Sequence, residues 1–455
     1  MMFAFFFALG AWAVTLSTYL MSAPTKGGLN FTTQEVGWIY STFAFGGMAA
    51  QFFVGLLADR LFRADRVLAV TCVICSGLIF AAAKWCDHRF PAMDEAYRSA
   101  AHLQRVGGES ALDLHGKLDP AAALSGGAVV SPTHAEVRVA LDRVNEDARV
   151  RQVASETFSV LFCVMLAYCF FLHIALTLTT VTALRNLPDP GEFARVRMYG
   201  TVGWIAAGVI VGVVLRDVST EPLYLAAGAS AVTGVYAFTL PRTAPRGQGK
   251  TLAEAFGLPA LKLFRDSSFA VFIAVAFVAA SMNQFYGVYA HRYLTDLHVP
   301  YPALTMTIGQ CCEVAVMFAI PLLNPRKHLK TLMMVGLAGY VVRGVAMTCG
   351  WVPGVILFGV TMHGWSYAFF YVVAATYIDR EAPPHLRASA QAIVSFAVSG
   401  AAVLAGNLLA GAVVDEWRTG TVIEWSPVWG VALAGCVAAF VSFGVLFRPP
   451  PDGPP

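Results

Sequence analysis

Residues 36–66 read VGWIYSTFAFGGMAAQFFVGLLADRLFRADR. From Val36 to Ala58 no side chain carries a formal charge, and then Asp59, Arg60, Arg63, Asp65 and Arg66 arrive within eight residues. An apolar run of about 20 residues is the length a helix needs to cross the roughly 30 Å hydrocarbon core of a bilayer. In lipid the backbone has no water to bond, so the run must be helical and meet its own hydrogen-bonding needs. The abrupt charged end marks where the chain returns to water.

Eleven further runs of this kind extend the reading: 2–22, 66–84, 156–183, 196–216, 221–240, 268–291, 302–323, 331–349, 354–378, 388–414 and 427–447. The chain of 455 residues is 57% hydrophobic and 13% charged, with mean hydropathy +0.63. Soluble domains carry about 25% charge. The expectation is an all-α membrane protein of twelve transmembrane helices. The first run, Met2 to Met21, lacks a preceding basic region and reads as a span, not a removed signal. A net charge of +3 points to no nucleic-acid partner. The nine cysteines show neither zinc nor redox spacing and read as small packing residues, so no metal or cofactor is expected.

Basic residues orient the bundle. Sixteen Lys and Arg, from Arg60 through Arg185, Arg195, Lys262 and Lys330 to Arg448, fall in one set of short segments. Only Lys26, Arg216, Arg292 and Arg418 fall in the opposite loops. Positive charge favours the cytoplasm, which places both termini there, in a plasma membrane. The polar insertion 85–155 breaks the pattern, with nine basic residues from Lys84 to Arg151, but long loops cross regardless of charge. Val137, Leu141, Val144, Ala148 and Val153 predict a helix leading into span 4. The glycine-containing middle of the insertion reads as flexible.

The domain reading is an N-terminal six-helix bundle over 1–240, a cytoplasmic linker over 241–266, a C-terminal six-helix bundle over 267–448 and a tail over 449–455. Gly200, Gly203 and Gly208 in span 5 match Gly400, Gly406 and Gly411 in span 11, which fits a two-fold repeat with close helix approach at a rocking interface.

The stretch Gly55-Leu56-Leu57-Ala58-Asp59-Arg60 resembles the loop motif of the major facilitator superfamily, in which Gly55, Asp59 and Arg60 would latch the halves on the cytoplasmic side. From span 5 onward the likeness narrows. Arg197-Met198-Tyr199-Gly200-Thr201-Val202-Gly203-Trp204, Gln310-Cys311-Cys312-Glu313, Arg343, and the run from Gly364 through Tyr367, Phe369 and Phe370 to Gln391 resemble the bacterial nucleoside:proton symporters of that superfamily. The resemblance implies the superfamily fold and a nucleoside carrier. It implies span 5 binding positions at Arg197, Thr201 and Trp204, span 7 positions at Ser281 and Gln284, and a span 8 pair at Gln310 and Glu313. Where the family has an acid tied to proton coupling, span 10 reads Tyr367-Ala368-Phe369.

The residue types suit that substrate. A nucleobase offers a planar face and an edge of donors and acceptors, so its site wants aromatics and amides. Trp204, Phe285, Tyr286, Tyr367 and Phe370 are candidate platforms; Thr201, Gln284, Gln310 and Glu313 are candidate hydrogen-bonders. Glu313 is the one acid in the middle of an expected span. A charge there costs about 2.5–3.5 kcal/mol on insertion scales, which marks it as a site residue and the candidate proton carrier. His173 and His363 are weaker relay candidates, since a membrane histidine often just bonds a backbone carbonyl. Three readings stand: a nucleoside carrier, coupled to protons through Glu313 or facilitative because of Ala368; a carrier of a sugar or other small metabolite; and a non-transporting sensor using the insertion. No helical His-Glu-x-x-His, phosphate loop or Ser/His/Asp set suggests an enzyme. A monomer suffices for a twelve-span carrier.

Overall fold

Each expected span falls on helix in the computed structural model, which describes residues 1–56, 62–106, 144, 147–188, 193–244, 257–323, 328–350, 352–383, 386–419 and 422–448. Among these residues, ten helical segments are long and apolar enough to cross a membrane. The other two expected spans are the helices Thr33–Leu56 (span 2) and Glu221–Ala237 (span 6). At 17 residues span 6 is about 26 Å long, near the lower limit for crossing.

The helices depart from uniform rods in three places. Span 1 is Met2–Ala13 followed by Leu16–Met21, with a break at Val14 and Thr15. Span 10 runs as Pro353–Tyr367, a π-helical turn over Ala368–Val372, and Val373–Glu381. Span 11 repeats the device, with a π turn over Phe396–Ala401 between Arg387–Ser395 and Ala402–Glu416. Such turns inside α-helices are frequent at functional sites. The remaining spans are Phe193–Val213 (span 5), Ser267–Asp296 (span 7), Pro302–Ala319 (span 8), Leu329–Thr348 (span 9) and Trp425–Leu446 (span 12).

The insertion differs from its expected form. Polarity begins after Lys84, yet the helix of span 3 continues as Ala64–Val106 through Pro91. Its 43 residues extend roughly 65 Å, about twice the hydrocarbon core. Span 4 is the similarly long Ala148–Asn186. The two overhangs pair beyond the bilayer: Trp85 Nε1 donates to Thr157 O at 3.1 Å, Arg89 meets Glu156 at 2.7 Å and Arg149 meets Glu95 at 3.2 Å. Exposed ion pairs contribute little. The burial of Met93, Ala96, Tyr97 and Ala100 supplies the cohesion. A drop in hydropathy marks where lipid ends, not where the helix ends. The remainder of the insertion, including the expected helical stretch before residue 144, lies outside the described residues, as do residues 245–256 of the linker and the C-terminal tail.

Packing partners show the repeat directly. Span 1 packs on spans 5 and 6, span 2 on span 4, and span 3 on spans 4 and 6. Six spans later the pairs recur: 7 with 11 and 12, 8 with 10, and 9 with 10 and 12. The two sets meet where span 2 lies on span 11 and span 5 on span 8, which again are equivalent pairs. Glycines sit on both seams, with Gly208 of span 5 against Thr307 of span 8 and Gly411 of span 11 against Thr33 of span 2.

Candidate functional site

A cavity of about 280 Å³ lies between the two six-span sets. Spans 1 and 2 contribute Trp12, Tyr40, Thr42 and Phe43, and span 5 contributes Trp204. From the other set come Gln284, Tyr286 and Gly287 of span 7, Met306 and Gln310 of span 8, His363 of span 10 and Asn407 of span 11. The volume is just under the range of roughly 300–1,000 Å³ typical of small-molecule sites. Its wall is mostly aromatic and aliphatic with a few amides. Gln310 Oε1, Tyr286 Oη and Asn407 Oδ1, on residues that line it, are buried and have no hydrogen-bond partner among the described residues. Buried polar groups are nearly always paired, so three such atoms on residues of one wall mark a place where the bundle leaves polar groups unmet.

Of the residues named from sequence, Trp204, Gln284, Tyr286 and Gln310 line this cavity. Trp204 packs against span 1 because Gly10 leaves room for its ring there. Gln284 Nε2 donates to Ala280 O at 3.1 Å, leaving its carbonyl available. Ser281, one turn earlier, donates its hydroxyl to Ala402 O at 3.0 Å and so ties span 7 to span 11. Thr201 is buried on span 5. Phe285 and Phe370 are fully buried, and Phe370 packs edge-on against Tyr371 and Phe443.

Arg197, Glu313 and Tyr367 form a second group, drawn from spans 5, 8 and 10, within electrostatic reach of one another. The Arg197 guanidinium lies over the Phe6 ring at 4.1 Å, so an aromatic face supports its charge. Glu313 is 8% exposed and accepts no hydrogen bond among the described residues. Its backbone is pressed onto span 10 at Gly364, where a Cβ would fall 2.3 Å from Glu313 N. Only glycine fits there. Gln310 and Glu313 lie three residues apart on span 8, on one side of the helix, with Gln310 lining the cavity. Of the latch motif, Gly55 lies in the last turn of span 2; Asp59 and Arg60 lie outside the described residues.

The end of the bundle where spans 1, 5, 7 and 11 terminate is knitted across the two sets. Ser17 Oγ donates to Val288 O. Thr18 Oγ1 and His291 Nδ1 are 2.7 Å apart, and His291 Nε2 lies 3.2 Å from Asp217 Oδ2. Tyr289 donates to Thr33 O at 3.0 Å, and Thr33 Oγ1 to Asp415 Oδ1 at 3.0 Å. At the opposite end, one cross-set bond, Gln51 Nε2 to Ser395 Oγ at 3.4 Å, is present among the described residues.

Sequence reasoning passed over Tyr40, Phe43 and Asn407 as site residues. Tyr40 and Phe43 sit in a run rich in aromatics, and one Asn in span 11 carries no spacing signal. The two histidines separate cleanly. His173 Nδ1 bonds Cys169 O on its own helix at 2.8 Å, the ordinary outcome for a membrane histidine. His363 instead lines the cavity.

Two equivalent six-span sets, a polar-edged cavity between them and a closure at one end define a secondary transporter that works by rocking about a central site. The chain belongs to the nucleoside H+ symporter family, whose profile matches residues 1–93 and 149–452. The unmatched gap falls within the insertion. The xanthosine permease of Escherichia coli (strain K12) is 25% identical over 97% of this chain and 94% of its own. YegT of the same organism, provisionally assigned as a nucleoside transporter, is 29% identical over 98% of this chain and 92% of its own. The crystal structure of the nucleoside transporter NupG superposes with a TM-score of 0.74 at 20% identity, covering 98% of this chain and 97% of that one. That likeness establishes the shared major facilitator fold.

Proposed function

We propose that the protein carries nucleosides across the plasma membrane by alternating access. The observation that carries the reading is the cavity itself, whose wall combines the aromatic residues Trp12, Trp204 and Tyr286 with the amide residues Gln310, Asn407 and Gln284. A base between aromatic faces gains stacking, and amides match its donors and acceptors without a charge clamp. No carboxylate or arginine lines the cavity among the described residues, which disfavours a charged metabolite. Family membership and the names of the relatives agree with a nucleoside.

Proton coupling through Glu313 follows from its place beside Arg197 and next to the cavity. Protonation would remove the negative charge that Arg197 senses, and deprotonation would restore it. Ala368 removes the second acid from span 10, so Glu313 carries the coupling alone. The basic segments orient the molecule with both termini in the cytoplasm, residues 1–240 and 267–448 as the moving halves, and a monomer as the working unit. The knitted end is then external, and the conformation is closed to the outside.

The test is uptake of labelled uridine and adenosine into proteoliposomes with and without an imposed pH gradient. Uptake driven by an inward proton gradient is expected. Failure to take up any nucleoside would refute the substrate, and uptake indifferent to the gradient would refute the coupling.

A further inference from the structure

Arg343 of span 9 is 4% exposed and has no carboxylate partner among the described residues. A buried cation without a counter-charge is expensive and marks a functional position. Its surroundings are neutral acceptors and ring faces. Nη1 donates to Asn283 Oδ1 at 3.0 Å and meets His363 Nδ1 at 3.2 Å. The guanidinium lies 4.6 Å from the Tyr286 ring centroid and 4.9 Å from that of Tyr340. Tyr286 in turn stacks on the His363 ring at 4.6 Å with 16° between planes.

The chemistry of this contact is one-directional. A guanidinium has five N–H donors and no acceptor. His363 Nδ1 must therefore accept, and the ring proton resides on Nε2. His363 lines the cavity, and Nε2 has no hydrogen-bond partner among the described residues. The Tyr286 stack holds the plane of the ring, and the Arg343 contact sets which nitrogen it turns to that side.

We propose that Arg343 is a positioning residue that fixes His363 as the Nε2–H tautomer, so that the cavity presents an N–H donor that selects substrates carrying an acceptor atom on the base edge. The first half rests on geometry alone; the second rests on the nucleoside reading above. A donor on a wall that also carries the amide residues Gln284, Gln310 and Asn407 is what a site built for hydrogen bonding uses to reject substrates lacking the partner atom.

The test uses the full chain, labelled with 15N-histidine, in detergent or nanodiscs. The His363 resonances, assigned by their loss in His363→Gln, are expected to show an unprotonated Nδ1 and a protonated Nε2. In Arg343→Met they are expected to move toward the tautomer mixture of a free imidazole. Binding of uridine and inosine is then titrated. Both His363→Phe and Arg343→Met are expected to weaken it about tenfold, the scale of one lost hydrogen bond in a buried site. His363→Gln, whose amide nitrogen reaches the Nε2 position, is expected to stay within about threefold, and adding Arg343→Met to it to cost no more. A wild-type spectrum with the proton on Nδ1 would overturn the proposal. So would an Arg343→Met penalty as large in the His363→Gln background as in the wild type. If the wild type binds neither nucleoside, the nucleoside reading fails, with the spectrum still deciding the tautomer.

Discussion

Gly208→Ala tests whether the seam between spans 5 and 8 is a working contact. The added Cβ would fall 2.5 Å from Thr307 Cγ2. Carbon atoms in contact prefer about 3.5–4.0 Å, so something must open by about 1 Å. Thr307 cannot simply rotate, because its Oγ1 donates to Leu304 O at 2.7 Å and the residue is buried. Overpacking of this kind costs about 1–3 kcal/mol. Applied to one conformation of a rocking carrier, it disfavours that state by about 5–150-fold. Thr307→Ser keeps the hydroxyl and removes the offending methyl, at about 0.8 kcal/mol for the lost burial. Gly208→Ala should therefore slow nucleoside uptake and lower thermal stability in detergent, Thr307→Ser should do little, and the double variant should recover most of the loss. Strictly additive effects in the double variant would refute the contact, since residues that touch must couple.

Trp204→Ala should weaken nucleoside binding by about tenfold or more, because stacking of a base on an aromatic side chain is worth about 1–3 kcal/mol; calorimetric titration measures it. Glu313→Gln cannot take up or release a proton, so uptake by this variant should lose its dependence on an imposed pH gradient, read by comparing proteoliposomes with and without one. Replacing residues 107–143 by a short Gly/Ser linker should leave uptake unchanged, because the family profile skips this region and the paired overhangs of spans 3 and 4 remain; lost uptake with normal folding would favour the sensor reading. Asp217→Ala removes the partner of His291 at the knitted end and should admit an impermeant maleimide from outside to a cysteine placed at Val14 in a cysteine-free background; unchanged labelling would show that the other cross-set bonds suffice.

The sequence determined the span positions, because lipid permits few backbone solutions and hydropathy reports directly on them. It also determined the repeat, through glycines recurring at matching places, and the isolation of Glu313, because a mid-membrane acid stands out against apolar neighbours. It missed that the helix of span 3 runs on past its apolar stretch, since hydropathy is blind to a helix that continues into water. Only the tertiary structure decided which side chains share a space. Gln310 and Glu313 sit on one helix, yet Gln310 lines the cavity and Glu313 is not among its lining residues. Trp204 and Asn407, far apart in the chain, line one cavity. His363 and Arg343 acquire an acceptor and a donor role only from their contact with each other. Spacing along one helix fixes a face; what that face meets depends on the packing of its neighbours, which no local pattern encodes.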